Sequence, residues 1–215
     1  LEWWALPALR PDPHDPQTAL LRDVRAMKPH ERLDALRTAS PQTPEVLLET
    51  ARAGLDRGDP GVVDTATEAL LREDPWEWRA VWMQGLRALA AGDATTAQAS
   101  FNAVYGQVPG ELAPKLALAV ACERSGVTAV AENMYAVCAR TDAAYTPVGA
   151  FGMARIRLAE GQRHEAVEAL DLVPTTSRAF ATARQRRAEI LADSGEGLST
   201  LADALRSVDK VALEP

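Results

Sequence analysis

Apolar residues recur three and four apart along most of the chain, the period of amphipathic α-helices, and no sustained alternation predicts a strand. The stretch 76–126 carries the pattern most clearly, as one complete helix–turn–helix unit and the first half of the next, with similar spacing before and after it. In 17–38, Leu20, Leu21, Val24 and Met27, then Leu33 and Leu36, predict two short helices, with Pro29 breaking or restarting the run between them. Thr43 is placed to cap the next helix, with Pro44 at its first position. Near the end Leu198, Leu201, Leu205 and Val208 form an apolar stripe that predicts a last helix.

A ladder of glycines sets the period. Gly58, Gly92, Gly126, Gly161 and Gly195 follow at intervals of 34, 34, 35 and 34 residues. A glycine ends the first helix of each unit, helix A, because a left-handed turn is cheap without a Cβ, and a polar residue then caps helix B. Asp59, Asp93 and Thr128 are the expected caps, and Pro75 and Pro109 end helix B. Seven residues before each glycine stand Ala51, Gly85, Ala119, Ala154 and Ala188, all small, where helix B is expected to cross closely. Facing positions on helix B hold Ala97, Ala131 and Ala166, and one turn later Phe101, Tyr135 and Leu170. The period is that of a tetratricopeptide repeat, so the chain is read as an all-α solenoid of about five helix–turn–helix units. The expected organisation is a proline-rich linker over 1–16, a helical segment over 17–42 and the repeat array over 43–215. That array lacks a polar capping helix after 215 and is expected to be truncated there.

Composition changes this picture only by exclusion. The 215 residues are 47% hydrophobic and carry 30 acidic against 23 basic side chains, a formal charge of −7, which opposes binding to nucleic acid or anionic membrane. No run is long and apolar enough to span a bilayer, and no signal core stands at the start, so the expected location is cytoplasmic. Cys122 and Cys138 are expected to be buried free thiols, and His14, His30 and His164 lie far apart, so no metal site or cofactor is expected. The phosphate-cradling patterns GxGxxG and GxxxxGK[ST] and the kinase signatures HRD and DFG are absent from these residues, and no catalytic residue is assigned.

What remains is a surface for protein. Positions that line the concave side of such an array hold Arg79, Trp82 and Leu86, then Leu116 and Val120, then Phe151 and Arg155. They are mostly apolar and lack the Lys/Asn clamp for a terminal carboxylate, so the matching ligand is a hydrophobic helix or extended linker. Two readings stay open, a groove for a partner or packing between adjacent helices. Arg178, Arg184, Arg186 and Arg187 form a basic cluster read as a solvated face, or a receiver for an acidic partner. Trp3 and Trp4 in the linker need cover, from this domain or from something beyond it.

Four segments are more specific than any repeat consensus: WEWRAVW at 76–82, PGELAPKLALA at 109–119, AFGMAR at 150–155 and VPTTSRAFATAR at 173–184. With them the chain, from about Leu6 to Arg187, resembles the C-terminal repeat region of the actinobacterial protein kinase G family. Those kinases join a rubredoxin-like module, a serine/threonine kinase domain and this repeat domain. The resemblance implies a noncatalytic regulatory and interaction domain whose partners are the kinase domain of the parent chain, a forkhead-associated regulator of 2-oxoglutarate dehydrogenase, an upstream sensor of amino-acid or nitrogen status, and a second copy in a homodimer. It also likens the proline-rich start to the connection leaving the kinase, where Trp3 and Trp4 would pack. A free-standing adaptor that binds an apolar peptide in trans is the alternative.

Overall fold

The helical spacing becomes helices throughout a computed structural model that describes residues 1–193 and 202–207. After a 3-10 turn at Trp3–Ala5 come α1 (Thr18–Val24), α2 (Pro29–Arg37), α3 (Pro44–Arg57), α4 (Pro60–Glu73), α5 (Trp78–Ala90), α6 (Ala94–Gln107) and α7 (Leu112–Arg124). Then follow α8 (Thr128–Thr141), α9 (Thr146–Ala159), α10 (Arg163–Asp171) and α11 (Phe180–Asp193), and residues 202–207 are helical. No strand occurs among the described residues. The chain divides into two compact units, Leu1–Ser125 and Gly126–Pro215.

The turns obey the expected chemistry. Gly58, Gly92, Gly126 and Gly161 have φ of 73, 77, 81 and 78°, the left-handed region that a Cβ disfavours. The residue after the glycine reaches back five positions, with the Asp59 amide donating to the Gly54 carbonyl (2.9 Å) and the Asp93 amide to that of Ala88 (2.9 Å). The fifth rung, Gly195, lies outside the described residues.

Helix B starts are less uniform than the glycine ladder. Asp59 accepts from the Val62 amide (3.3 Å), and Asp93 accepts from that of Thr96 (3.0 Å). Thr128 does not cap α8, contrary to expectation. The cap position follows the glycine directly, so it falls on Val127, which has no acceptor, and Thr128 is already the first helical residue.

In the first unit, α1 and α2 seat Leu21, Val24, Leu33 and Leu36 against Val46 and Ala53 of α3. Helix A then crosses helix B at the small-residue site. A Cβ on Gly85 would lie 2.6 Å from Phe101 Cε1, so only glycine lets α5 and α6 approach this far. The PGELAPKLALA motif ends α6 and opens α7. Pro114 is tolerated in the first turn, and the Lys115 ammonium folds back to donate to the carbonyls of Glu111 (3.0 Å) and Pro109.

In the second unit the tight crossing lies between α8 and α9. A Cβ on Gly149 would meet the Tyr135 carbonyl oxygen at 2.5 Å, and one on Gly152 would meet the Tyr135 ring at 2.6 Å. Beyond it Ala150, Val173 and Ala183 form a small core. The expected terminal stripe is only partly visible. Leu198, Leu201 and Val208 lie outside the described residues, and Leu205 is 65% exposed while Ala204 and Ser207 turn inward.

Candidate functional site, the inner face of the A helices

The seven groove residues fall in three series that repeat with the array. Leu48, Trp82, Leu116 and Phe151 share one repeat position; Arg52, Leu86, Val120 and Arg155 share the next turn; Glu45 and Arg79 begin their helices 34 residues apart. The third series shows what the repeat does chemically. Glu45, on α3, is buried and accepts from Arg79 Nη1, on α5. The Arg79 guanidinium also donates to both carboxylate oxygens of Glu77, from Nε at 2.9 Å and from Nη2 at 2.6 Å. Glu77 in turn caps α5 by accepting from the Arg79 amide (3.1 Å).

Charge and hydrogen bonding fix the protonation of this group. Burial pushes the Glu77 carboxyl up, but the hydrogen bonds and positive charge of Arg79 outweigh it and hold its pKa below the ordinary 4.5. A carboxyl with a lowered folded pKa adds stability above its unfolded pKa and loses it as pH falls through the folded value. In urea titrations Glu77→Gln is expected to be less stable than the parent chain at pH 7, with the gap narrowing as pH drops below 4.5. A gap that does not change with pH would remove Glu77 from this role.

The expectation of an open apolar groove is corrected by burial. Trp82 is 1% exposed, its ring centroid 5.2 Å from that of Phe101 at an interplanar angle of 62°. Leu86, Leu116 and Val120 are 1 to 3% exposed. At Gly85, α5 and α6 pack closely enough that Trp82 is enclosed against Phe101 rather than lining a channel. Arg79 is committed to Glu45 and Glu77. Phe151 is half-buried against the Ala150, Val173 and Ala183 core. Arg155 alone of the seven is exposed, with its guanidinium carbon 6.0 Å from the Tyr135 ring centroid.

Part of the inner face does remain open. In the first unit a cavity of about 330 Å³ is floored by Leu48, Trp82, Met83 and Leu86 and rimmed by Arg25, just after α1, and by charged side chains of α2 and α3. Three rim arginines share two rim carboxylates: Arg25 pairs with Glu49 (3.4 Å), Arg32 with Asp56 (2.8 Å), and Arg52 with Asp56 (3.4 Å). Its remaining wall is Ala8, Leu9 and Pro11, from the segment expected to be a proline-rich linker. That contact was missed because it lies outside the repeat, although Leu6 and Leu9 between prolines were its visible signal. Met83 was missed because it stands one residue out of the groove register.

Among the described residues nothing else gathers into a chemical site. Cys122 and Cys138 are buried and not joined in a disulfide, and burial raises the Cys122 pKa, which suppresses the reactivity of that thiol. No cluster of metal-ligating side chains occurs among the described residues, and no helix there is long and apolar enough to cross a membrane. The basic cluster is divided. Arg184 and Arg187 reach Asp171 at 3.0 and 3.1 Å, Arg187 also reaches Asp203 at 2.9 Å, and Arg186 pairs with Glu189. Arg178 is exposed.

Residues 4–210 match the family described as protein kinase G tetratricopeptide repeat. The chain belongs to that family. It is 37% identical over 194 residues to the serine/threonine-protein kinase PknG of Mycolicibacterium smegmatis, covering 88% of the chain and 25% of the relative. The PknG of Mycobacterium leprae is 36% identical over 184 residues, covering 80% and 24%. The chain thus spans about a quarter of the length of these curated relatives. Solved structures with the same fold include MamA, with a TM-score of 0.63 at 16% identity over 74% of this chain and 91% of that one. A tetratricopeptide-repeat protein from Parabacteroides merdae has a TM-score of 0.61 at 18% identity, over 94% and 82%. Two of the segments that carry the resemblance stand at structural sites: WEWRAVW builds the Glu77–Arg79 cap and contains Trp82, and AFGMAR supplies Gly152.

Proposed function

We propose that this chain is the noncatalytic regulatory and protein-interaction domain of a PknG-like serine/threonine kinase, acting beside the kinase domain of its parent chain. The observation that carries the reading is the family match across residues 4–210, joined to relatives that are kinases about four times as long. The inner face supports it by offering apolar packing and paired charges rather than a reaction centre, so binding energy comes from buried surface. Within this reading the domain transmits amino-acid or nitrogen status toward a forkhead-associated regulator of 2-oxoglutarate dehydrogenase, operates in the cytoplasm, and self-associates as a homodimer. Arg155 and Phe151, the groove positions that keep some surface, are the residues of that set best placed to touch a partner.

Co-expression of this chain with the separately encoded kinase region of the M. smegmatis relative tests the assignment. A complex that survives gel filtration, and a changed phosphotransfer rate, are expected. Two species that elute apart, with unchanged kinase activity, would favour the free-standing adaptor instead.

A further inference from the structure

The N-terminal segment does not leave the repeats but runs along their A helices. Arg124, at the end of α7, pairs with Glu2 (3.1 Å) and donates to the Leu1 carbonyl (2.8 Å). Arg52, on α3, lies 5.2 Å from the Trp3 ring centroid, close enough for a cation–π contact. The 3-10 turn at Trp3–Ala5 then drives Leu6 inward to 5% exposure, and Ala8, Leu9 and Pro11 close one wall of the cavity over Trp82, Met83 and Leu86. One short segment thereby touches α3, α5 and α7, the first helices of three successive repeats.

We propose that residues 1–11 are a ligand in cis: the inner face of the first unit is a binding site for an extended, proline-bounded apolar peptide, and the chain's own N-terminal segment occupies it. The chemistry of the site selects such an occupant. Its floor is apolar and its rim arginines are already paired with Glu49 and Asp56, so burial of apolar side chains rather than charge selects the occupant. A proline-rich segment is already extended and loses little conformational freedom on docking. Trp3, Leu6 and Leu9 supply the apolar anchors, and Glu2 is the single charge that the site reads, through Arg124. Space beside Leu9 remains unfilled, so a peptide with a larger side chain there would bind better than the resident segment.

Occupation in cis makes the segment a competitor. A tethered copy at an effective concentration on the order of millimolar raises the apparent Kd of a trans peptide at least about tenfold when its intrinsic Kd is about 0.1 mM or tighter. The test uses the full chain and a labelled peptide with the sequence of residues 1–13, read by fluorescence anisotropy. The parent chain and a Leu6→Asp/Leu9→Asp variant, in which the segment cannot dock, are titrated side by side. The variant is expected to bind the peptide at least tenfold more tightly, and hydrogen exchange at the Ala5 and Leu6 amides should be faster in it than in the parent.

Equal binding by both chains would overturn the proposal, because the resident segment would then not compete. Absence of binding to both, with the helical circular dichroism of the variant intact, would overturn it too, because the inner face would not be a peptide site. Should that variant lose its helical signal, Glu2→Lys/Trp3→Ser changes only exposed or half-exposed positions and is judged by the same two outcomes.

Discussion

Replacing Trp82 by alanine is expected to destabilise the chain by about 3–5 kcal/mol, the range for truncating a fully buried tryptophan. The ring is 1% exposed and edge-on to Phe101, so the substitution removes both its buried area and an aromatic pair. One side of the ring also faces the 330 Å³ cavity. That opening lets solvent enter the space left behind, which places the loss toward the lower end of the range. For a chain of this size the thermal midpoint should fall by roughly 6–20 °C. Trp82→Phe keeps an edge against Phe101 and should lose less than half as much. An unchanged midpoint in Trp82→Ala would mean that the tryptophan is a groove residue after all, and any loss of partner binding in that variant would then be a direct effect. With the stability lost as expected, partner contacts have to be sought at exposed positions such as Arg155.

The features that were legible in the sequence are those in which one residue type is needed at one backbone position. A left-handed turn selects glycine, and four rungs of the glycine ladder are left-handed turns. A close helix crossing selects the absence of a side chain, and Gly85 stands against Phe101. The error at Thr128 comes from the same logic applied one residue late. A helix cap is fixed by its distance from the turn, and polarity at the neighbouring position cannot substitute for it. The inner face was harder to read. Helix A turns one edge toward helix B and another toward the concave side, and a 3.6-residue period does not separate two apolar edges that adjoin. Trp82 belongs to both, since it packs on Phe101 and floors the cavity. The docking of residues 1–11 depends on contacts with helices up to 123 positions away, and no local pattern encodes that. The pairing of Glu45 with Arg79 was legible in principle, because opposite charges one repeat apart on successive A helices face one another.

Gly149→Ala is expected to cost at least about 1–3 kcal/mol, the usual range for overpacking a filled interior, although it adds a single methyl group. The sign follows from what the methyl would meet. At Gly85 the obstacle is the Phe101 ring and at Gly152 the Tyr135 ring, side chains that can be displaced without moving their own backbone. At Gly149 the obstacle is the backbone carbonyl of Tyr135 at 2.5 Å, with the Ala139 amide nitrogen and Cβ both at 2.9 Å. None of those atoms moves unless α8 moves as a whole, and separating α8 from α9 would uncover Tyr135, which is fully buried between them. Gly106→Ala provides the opposite sign in the same experiment. Gly106 lies in α6 with open space where its Cβ would be, so alanine there should stabilise by about 0.5–1 kcal/mol through the smaller entropy loss of a residue that has a side chain. Urea midpoints of the two variants should therefore move in opposite directions from that of the parent chain. A Gly149→Ala chain as stable as the parent would show that α8 and α9 do not cross at this point, and with that the packing of the second unit would have to be redrawn.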